Sequence, residues 1–437
     1  MSWRALAIVA VLAAPAAGNT LTVGAGKMYP APCAAFAAAQ PGDTVSIDAA
    51  TYTGDVCAFD VDNLTITGVG GRAKIDATGV TIPNGKAIWV IEGANDIVEN
   101  IEMMGAAVPD NNGAGIRQEG ANLTVHNCYF HDNQDGILTD PSTPPTFSLI
   151  MIDNSEFANN GAGDGLSHNM YIGAVDEFVL EGCYSHDARG GHEVKTRARE
   201  NHILYNRIED GPAGMGSYQI DFAQGGISYL IGNEIEKGPQ SQNHGSYIYD
   251  ECQGGCGPVQ DLYVVNNTFV NDAGAAGTFV DVETPSPVLV RNNIFVGTGT
   301  ITNATGATED HDFTMDPMLV DRTGYDYHLL PGSPCIDAGT APGTSSEGFI
   351  LAPTTEYVAD LAEAPRQMVG PIDIGAHEYG TAQTPPDDLF DDDGGPGATA
   401  KHGGGCCDAS GGPGSGVLAA LVALVGARRR YRRCSAR

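Results

Sequence analysis

The residues best suited to chemistry are concentrated in one segment, 184–206, which reads YSHDARGGHEVKTRARENHILYN. Its basic and histidine side chains are His186, Arg189, His192, Lys195, Arg197, Arg199 and His202. A neutral lysine can remove a proton next to a carboxylate, and the positive charge of neighbouring Arg197 would favour the neutral amine. Lys195 is therefore the candidate proton acceptor.

The overall charge makes this basic segment conspicuous. The 437-residue chain has a formal net charge of −32, and only 17% of its residues are charged. Such an acidic protein disfavours nucleic acid and anionic membranes as partners. It would also repel an anionic polysaccharide unless a local basic patch or a bound cation intervened.

A recurring phrase predicts the elements that must position these residues. Its copies are VHNCYF, IDNSEF, LEGCYS, LYNRI, LIGNEI, VVNNTF and VRNNIF, at spacings of 23 to 34 residues. They align Cys128, Ser155, Cys183, Asn206, Asn233, Asn267 and Asn293 at one position. Short alternating runs separated by Gly, Asn and Asp predict an all-β, single-stranded parallel β-helix, with coils roughly 4.8 Å apart. We expect the shared position to form a polar ladder in which asparagine adopts the left-handed conformation.

This ladder predicts which side chains of the central coils face outward. We expect Ile172, Val194, Ile220 and Ile248 to stack inside the solenoid. One outward row then contains Tyr171, Glu193, Gln219 and Tyr247, and the next contains Gly173, Lys195, Asp221 and Tyr249.

These rows have the composition of a sugar-binding groove. Tyr171, Tyr247 and Tyr249 would offer flat apolar faces to pyranose rings, and Gln219 would add a polar contact. The carboxylates available to bind sugar hydroxyls or a Ca²⁺ ion are Glu193, Asp221, Asp250 and Glu251. The alternative is that Lys195 and Asp221 form an ordinary surface ion pair.

The segment HEVKTRARENHILYNRI and the ladder over residues 64–300 resemble the right-handed parallel β-helix superfamily that includes pectate lyases, and within it the alginate lyase and chondroitinase B group. The resemblance implies that Lys195 abstracts the C5 proton of a uronic acid. In that group an arginine one coil later assists the leaving oxygen. The corresponding segment here, GSYQIDFAQGG, has no arginine, so Arg197 or Tyr249 would take that role.

A second resemblance covers GLSHNMYIG, VKTRA, SYQIDFAQGG and YLIGNEIEKG. These stretches are similar to a bacterial group of secreted β-helix proteins. His168 and His192 belong to that pattern and would flank the groove, although a histidine is more often a structural residue than a catalytic one.

The termini predict an exported protein. Residues 1–18 have the form of a signal peptide, and 19–380 would form the β-helix domain, with a short helix in PAPCAAFAAAQPGDTVSI as its N-terminal cap. Residues 341–360 read as an inserted loop. In an oxidising compartment we expect the disulfides Cys33–Cys57 and Cys252–Cys256. Cys128 and Cys183 would lie roughly 9.6 Å apart, too far for a disulfide, and are expected to be buried thiols.

The composition of the chain changes after residue 380. Residues 381–405 form an acidic Gly- and Pro-rich linker, and 406–437 contain Cys406, Cys407, a short apolar run and an arginine cluster. This order resembles myxobacterial surface-sorting tails, which implies cleavage near the cysteines and attachment at the cell surface. An ordinary tail anchor is the alternative. We expect a monomer.

Three functions remain from the sequence. A β-eliminating polysaccharide lyase would use Lys195, with His192 as a further catalytic candidate. A glycoside hydrolase would use Glu193 and Asp221 as facing carboxylates. A non-catalytic surface adhesin would bind glycans without chemistry. The sequence has no nucleotide-binding glycine loop in a strand-to-helix context, no zinc-ligand pattern and no nucleophile elbow, which disfavours those classes of function.

Overall fold

The chain forms a three-sided parallel β-solenoid in the computed structural model, which describes residues 18–139, 147–359 and 361–380. All of these residues belong to one compact unit. The predicted signal peptide apart from Gly18, the predicted linker and the predicted C-terminal tail lie outside the described residues, so export and cell-surface attachment stay predictions, as does the monomeric state. Among the described residues, no helix has the length and apolarity needed to cross a membrane.

Three parallel sheets form the sides, and each coil adds one strand to each sheet. Numbered in chain order, the strands of sheet I are β1 (Thr20–Val23), β2 (Thr44–Asp48), β5 (Thr65–Val69), β8 (Asp96–Glu99), β11 (Leu123–His126), β14 (Leu149–Asp153), β17 (Glu177–Glu181), β20 (Glu200–Leu204), β23 (Ile227–Ile231), β26 (Asp261–Val265), β29 (Val288–Arg291) and β32 (Thr308–Asp310). The strands of sheet II are β4 (Cys57–Phe59), β7 (Ala87–Ile91), β10 (Ala114–Gln118), β13 (Asp135–Thr139), β16 (Met170–Ile172), β19 (Val194–Thr196), β22 (Ile220–Phe222), β25 (Ser246–Asp250), β28 (Gly277–Val282) and β31 (Gly299–Thr302). The strands of sheet III are β3 (Thr51–Thr53), β6 (Ala73–Asp76), β9 (Ile101–Met104), β12 (Tyr129–His131), β15 (Glu156–Ala158), β18 (Tyr184–His186), β21 (Arg207–Glu209), β24 (Glu234–Lys237), β27 (Thr268–Asn271) and β30 (Ile294–Val296). The predicted all-β architecture is confirmed.

One continuous apolar core fills the solenoid. Alternate strand residues point inward and stack on the equivalent residue of the next coil, as Val194, Ile220 and Ile248 do in sheet II. Aromatic rings stack in the same way, with the ring centroids of Phe130 and Phe157 5.0 Å apart. Burial of these apolar surfaces supplies the main driving force for stacking the coils.

The predicted polar ladder is present between sheets I and III. The backbone N–H of each ladder residue donates to the side chain of the next, for example from Asn206 to Asn233 Oδ1 at 2.9 Å and from Asn233 to Asn267 Oδ1 at 2.9 Å. The ladder runs from Cys128 and ends on Asp312 Oδ1. One detail of the prediction is wrong. The left-handed conformation belongs to the residue before each ladder position, such as Asn127, Tyr205 and Asn266, because the turn must bend before the ladder side chain can point inward.

The N-terminal cap is the helix α1 (Pro32–Phe36). The Phe36 ring inserts into the end of the core against Trp89, with centroids 5.0 Å apart. A disulfide joins Cys33 to Cys57 and so ties the helix to sheet II, and a second joins Cys252 to Cys256. Cys128 and Cys183 are buried free thiols.

The last described residues, 314–359 and 361–380, lack the repeat and are called the C-terminal part below. This part forms two antiparallel pairs, β33 (Leu319–Asp321) with β34 (Asp326–Leu329) and β35 (Thr355–Val358) with β36 (Ala362–Pro365). Of the segment predicted as an inserted loop, the described residues 341–359 pack on the outer face of sheet I, where Leu351 is buried with Tyr229 and Tyr263. Aromatic side chains on that outer face supply the apolar surface that holds it.

Candidate functional site

The candidate site lies on the outer face of sheet II, where strands β16, β19, β22 and β25 run side by side. Their hydrogen-bonded pairing places Tyr171, Lys195, Asp221 and Tyr249 in one row across four coils. We call these four residues the site row. Because successive strand residues face opposite sides of a sheet, the row points away from the core that Val194 and the neighbouring apolar residues fill.

This register differs by two residues from the sequence prediction at β16. Tyr171 pairs with Lys195, and Met170 takes the inward position expected for Ile172, which pairs with Thr196 instead. Gly173 follows the strand and is not part of the row. Both Met170 and Ile172 are apolar and two residues apart, so strand alternation alone permits either register.

Three residues expected to bind substrate are instead buried. Glu193, Gln219 and Tyr247 have no exposed surface. Glu193 accepts hydrogen bonds from Ser185 Oγ at 2.9 Å and from the backbone N–H of Ala188 at 2.9 Å. Burial raises its pKa to about 8. The prediction fails because Glu193 and Gln219 precede their strands, where the chain is still turning and the alternation does not apply.

The burial of Glu193 also removes the carboxylate pair proposed for hydrolysis. Glu193 lies inside the solenoid, whereas Asp221 lies in the outward row, so the two carboxylates do not face a common space. Glu193 is part of a second buried polar ladder that the sequence reasoning missed. In this ladder Asn133 N donates to Asn160 Oδ1 at 3.0 Å, and Asn169 Nδ2 donates to Glu193. The 27-residue spacing of Asn133 and Asn160 was the available signal.

Lys195 and Asp221 form an ion pair at the centre of the site row. Lys195 Nζ donates to Asp221 Oδ2 at 2.7 Å. The pair is not the surface contact considered from the sequence, because Asp221 has no exposed surface and Lys195 is 7% exposed. Burial raises the pKa of Asp221, and the charge of Lys195 opposes that effect. The other oxygen, Asp221 Oδ1, is buried without a hydrogen-bond partner.

Two neutral histidines border this ion pair. His192 N donates to His168 Nδ1 at 3.0 Å, and Tyr218 N donates to His192 Nδ1 at 3.3 Å. Burial lowers the pKa of His168 to about 3 and that of His192 well below its usual value. Each ring therefore carries its proton on Nε2, and His192 Nε2 lies 3.5 Å from Asp221 Oδ2.

The burial of His168 gives a testable pH dependence. Its pKa is about 3 in the folded chain and near 6.5 in the unfolded chain, so stability is lost as the pH falls below 6.5 because only the unfolded chain takes up the proton. The variant His168→Gln lacks this loss. At each pH the free energy of unfolding of the variant is compared with that of wild type. We expect this difference to be about 2 kcal/mol more favourable to the variant at pH 5 than at pH 8. Urea unfolding at both pH values measures the difference, and an identical effect at both would contradict it.

Arg197 and the disulfide loop close the other side of the site row. Arg197 Nε donates to the Tyr171 hydroxyl at 2.6 Å, which leaves the phenolic proton free to be donated elsewhere. Its guanidinium also donates to the carbonyl of Gln253 at 3.2 Å and to the Gln253 side chain. Gln253 lies between the two cysteines of the Cys252–Cys256 disulfide. This loop therefore fixes the position of Arg197.

Tyr249 extends the row away from Lys195. It stacks on Tyr218 with ring centroids 4.8 Å apart, and it pairs with Asp221 on one side and Asp281 on the other. The structure thus brings Tyr171, Lys195, Arg197, Asp221 and both histidines together. Tyr249 lies one strand beyond Asp221.

The carboxylates considered for Ca²⁺ do not assemble into a cation site. Glu193 is inside the solenoid, and Asp221 is paired with Lys195. Asp250 accepts hydrogen bonds from Thr284 at 2.6 Å and Ser286 at 3.0 Å, and Glu251 accepts one from Gln253 Nε2 at 2.9 Å. Calcium requires six to eight oxygen ligands around one point. The named residues therefore do not fit a Ca²⁺ ion.

Comparisons with known proteins agree with this architecture. A family model described as the right handed beta helix region matches residues 145–313. A solved structure titled pectate lyase Pel9A is similar over 82% of this chain and 96% of its own, with 15% sequence identity and a TM-score of 0.56. ORF18 of Geobacillus virus E2 is similar over 62% of this chain and 52% of its own, with 14% identity and a TM-score of 0.38. No curated protein sequence matches. The parallel sheets, the family match and the similarity to the Pel9A structure together show that the chain folds as a right-handed parallel β-helix.

Proposed function

We propose that the protein is a polysaccharide lyase that cleaves a uronic-acid polymer by β-elimination, with Lys195 as the base. The observation that carries this proposal is the site row, in which a lysine is the only basic side chain, lies beside Arg197, and is bordered by neutral histidines. Similarity of fold to a protein titled pectate lyase supports the substrate class.

The proposed reaction uses three side chains. The neutral amine of Lys195 takes the C5 proton of a uronate, the electron pair forms the C4–C5 double bond, and the C4–O4 bond breaks. The Tyr171 hydroxyl donates its proton to the departing O4, and Arg197 stabilises the phenolate through its 2.6 Å hydrogen bond. Asp221 holds the Lys195 amine in place. Tyr171 thereby takes the role for which the sequence suggested Arg197 or Tyr249.

Charge also supports an anionic substrate at this place. Arg197 supplies the positive charge of the site while the Lys195 amine acts as the base, and the two histidines add no positive charge because their pKa values are lowered. Outside this region the acidic chain repels a polyanion. A uronic-acid polymer is therefore attracted only locally. The aromatic rings of Tyr218 and Tyr249 offer a stacked surface for neighbouring sugar rings.

A non-catalytic glycan-binding protein is the second candidate. The observation that favours it is the short, buried ion pair between Lys195 and Asp221, in which Lys195 Nζ is already bound to a carboxylate. In that case the same groove would bind an anionic glycan without cleaving it.

One assay separates these functions. Purified protein is incubated with alginate, pectate and chondroitin, each with Ca²⁺ or with a chelator, and the absorbance of unsaturated uronate ends is followed. We expect the absorbance to rise with at least one polymer. New reducing ends without absorbance would contradict the lyase and indicate a hydrolase. Binding without any cleavage would contradict it in favour of the glycan-binding protein.

A further inference from the structure

A second cluster of chemically competent side chains lies where the C-terminal part packs on sheet III. His328 of β34, Glu356 of β35 and His377 near the end of the described chain meet there. One ligand atom from each lies within 4.8 Å of the others, and no other group of this kind is present in the described residues. Glu356 and His377 are buried, and His328 is half-buried. The three residues are far apart in sequence, which is why no local zinc-ligand pattern was visible.

Each histidine has one nitrogen bonded to a carboxylate and one nitrogen without a partner. His328 Nδ1 lies 2.6 Å from Asp326 Oδ1, and His377 Nε2 lies 2.5 Å from Glu234 Oε1. The remaining nitrogens, His328 Nε2 and His377 Nδ1, are buried and have no hydrogen-bond partner. His377 Nδ1 lies 3.7 Å from Glu356 Oε2, and the two rings have centroids 3.9 Å apart.

This arrangement matches the way proteins prepare histidine for a metal. A metal-binding histidine typically donates its other ring N–H to a carboxylate, which fixes the tautomer and points the lone pair at the ion. Two buried nitrogens left without partners are otherwise costly. A metal ion between them would satisfy both.

We propose that His328 Nε2, His377 Nδ1 and a Glu356 carboxylate oxygen bind a divalent transition-metal ion, with Zn²⁺ as the best fit. Imidazole and carboxylate are common ligands of zinc, at about 2.0 to 2.2 Å. Ligand atoms of a tetrahedral zinc ion lie about 3.4 Å apart. The three proposed ligand atoms lie within 4.8 Å of one another, so side-chain movements of about 1 Å would bring them to that distance. Asp326 and Glu234 are positioning residues that orient the two rings.

The surrounding charges permit a cation. Three carboxylates, those of Asp326, Glu234 and Glu356, face the two rings. The guanidinium of Arg207 lies 3.9 Å from Glu234 Oε2, and that of Arg366 lies 3.9 Å from Glu356 Oε1, so both contact the outer oxygens. Without a metal, His377 would instead be an imidazolium between two glutamates, which raise its pKa to about 9. A protonated His377 would not bind Zn²⁺, whereas a neutral His377 would, so metal binding distinguishes the two states.

The consequence of the site would be structural. Its ligands come from three separate pieces of the C-terminal part, and Glu234 belongs to strand β24 of the solenoid. A bound ion would therefore fasten the C-terminal part to the coil containing β24. Because a metal that binds only the folded chain adds its binding free energy to folding, zinc should raise the melting temperature.

Metal analysis of the untagged full chain tests the proposal. The protein is stripped with a chelator, equilibrated with Zn²⁺, desalted and analysed for bound zinc. We expect one zinc ion per chain for wild type, and its loss in His328→Gln and in His377→Gln. The matched control is His311→Gln, which replaces a histidine that also contacts an aspartate but lies on the surface. It should retain the zinc.

Cobalt substitution identifies the ligands. The melting temperature of wild type with and without Zn²⁺ tests the proposal independently of whether the variants fold. Bound Co²⁺ should give visible ligand-field bands without a thiolate charge-transfer band, because the proposed ligands are nitrogen and oxygen. Zn²⁺ should raise the melting temperature of wild type, and Mg²⁺ should not. A zinc-free wild type, zinc retained by both histidine variants, a thiolate band that indicates cysteine ligands, or a melting temperature that Zn²⁺ leaves unchanged would each overturn the proposal.

Discussion

Replacing Lys195 with alanine is expected to lower the rate of unsaturated-uronate formation by roughly 10²- to 10⁴-fold, the usual contribution of a positioned general base. The reason is that the only other proton acceptor in the site row, the Asp221 carboxylate, has no exposed surface and is hydrogen-bonded to Lys195, so it does not reach the substrate. The initial rate of absorbance increase on the cleaved polymer is the measurement.

The sharper variant is Lys195→Arg, which keeps the charge opposite Asp221. A guanidinium remains protonated at any workable pH, so we expect this variant to fold and yet be inactive. The matched control is Lys74→Ala. Lys74 also forms a 2.7 Å ion pair, with Glu102, but on sheet III. It should retain full activity. If Lys195→Arg kept more than about a tenth of the wild-type rate, Lys195 would not be the base.

The second large effect is expected at the buried ladder, where Asn233→Ala should lower the free energy of unfolding by about 3 to 5 kcal/mol. The Asn233 amide accepts the backbone N–H of Asn206 at 2.9 Å and donates to the carbonyl of Ile203 at 2.8 Å and to Asn267 Oδ1 at 2.9 Å. Truncation to alanine removes the side-chain partner of the Asn206 N–H and of the Ile203 carbonyl, whereas Asn267 Oδ1 keeps only the backbone N–H of residue 233. The shift in the urea midpoint and slope measures the loss.

Two further variants calibrate this result. Asn112→Ala, at an exposed position, should change the stability by no more than about 0.5 kcal/mol. Asn233→Ser should cost less than Asn233→Ala, because Ser155 already occupies a ladder position and accepts the backbone N–H of Cys128 at 3.0 Å. Equal losses for the serine and alanine variants would show that the side-chain hydrogen bond contributes nothing.

The ladder explains why the solenoid could be predicted from the sequence. Each coil places one polar side chain at the same buried corner, and only a few residue types can accept the backbone N–H of the coil before it. The repeating phrase around Asn206, Asn233 and Asn267 therefore carries the three-dimensional register of sheets I and III. Glycine and asparagine in the preceding position supply the turn.

The site row was harder to predict because the second polar ladder, which leads into sheet II, is irregular in sequence: Asn133 and Asn160 are 27 residues apart, but Asn160 and Asn169 are only 9 apart. The loops that lead into the strands of sheet II vary in length, and apolar residues at both Met170 and Ile172 leave the register of β16 open by two residues. Residues just before a strand, such as Glu193, lie in turns where alternation fails. The contact between Lys195 and Asp221 could be predicted, because the buried residues Val194 and Ile220 determine the register of β19 against β22. That register does not depend on the position of β16.

The contact between His377 and Glu234 lay beyond any sequence argument. The two residues are separated by 143 positions, and the C-terminal part follows no repeat that would give it a register against the solenoid. Its position depends on complementary shape and charge, which are properties of the assembled surface.

The loop that fixes Arg197 has an evolutionary consequence. Residues 251–260 leave sheet II after β25 and re-enter the repeat at β26, while the strands on either side keep their pairing with neighbouring coils. Insertions, deletions or substitutions in this loop would therefore change the wall of the groove without disturbing the core. Selection can therefore change the surface beside the site row while strands β16, β19, β22 and β25 stay constant, so related chains can differ in the ligands they accept before they differ in fold.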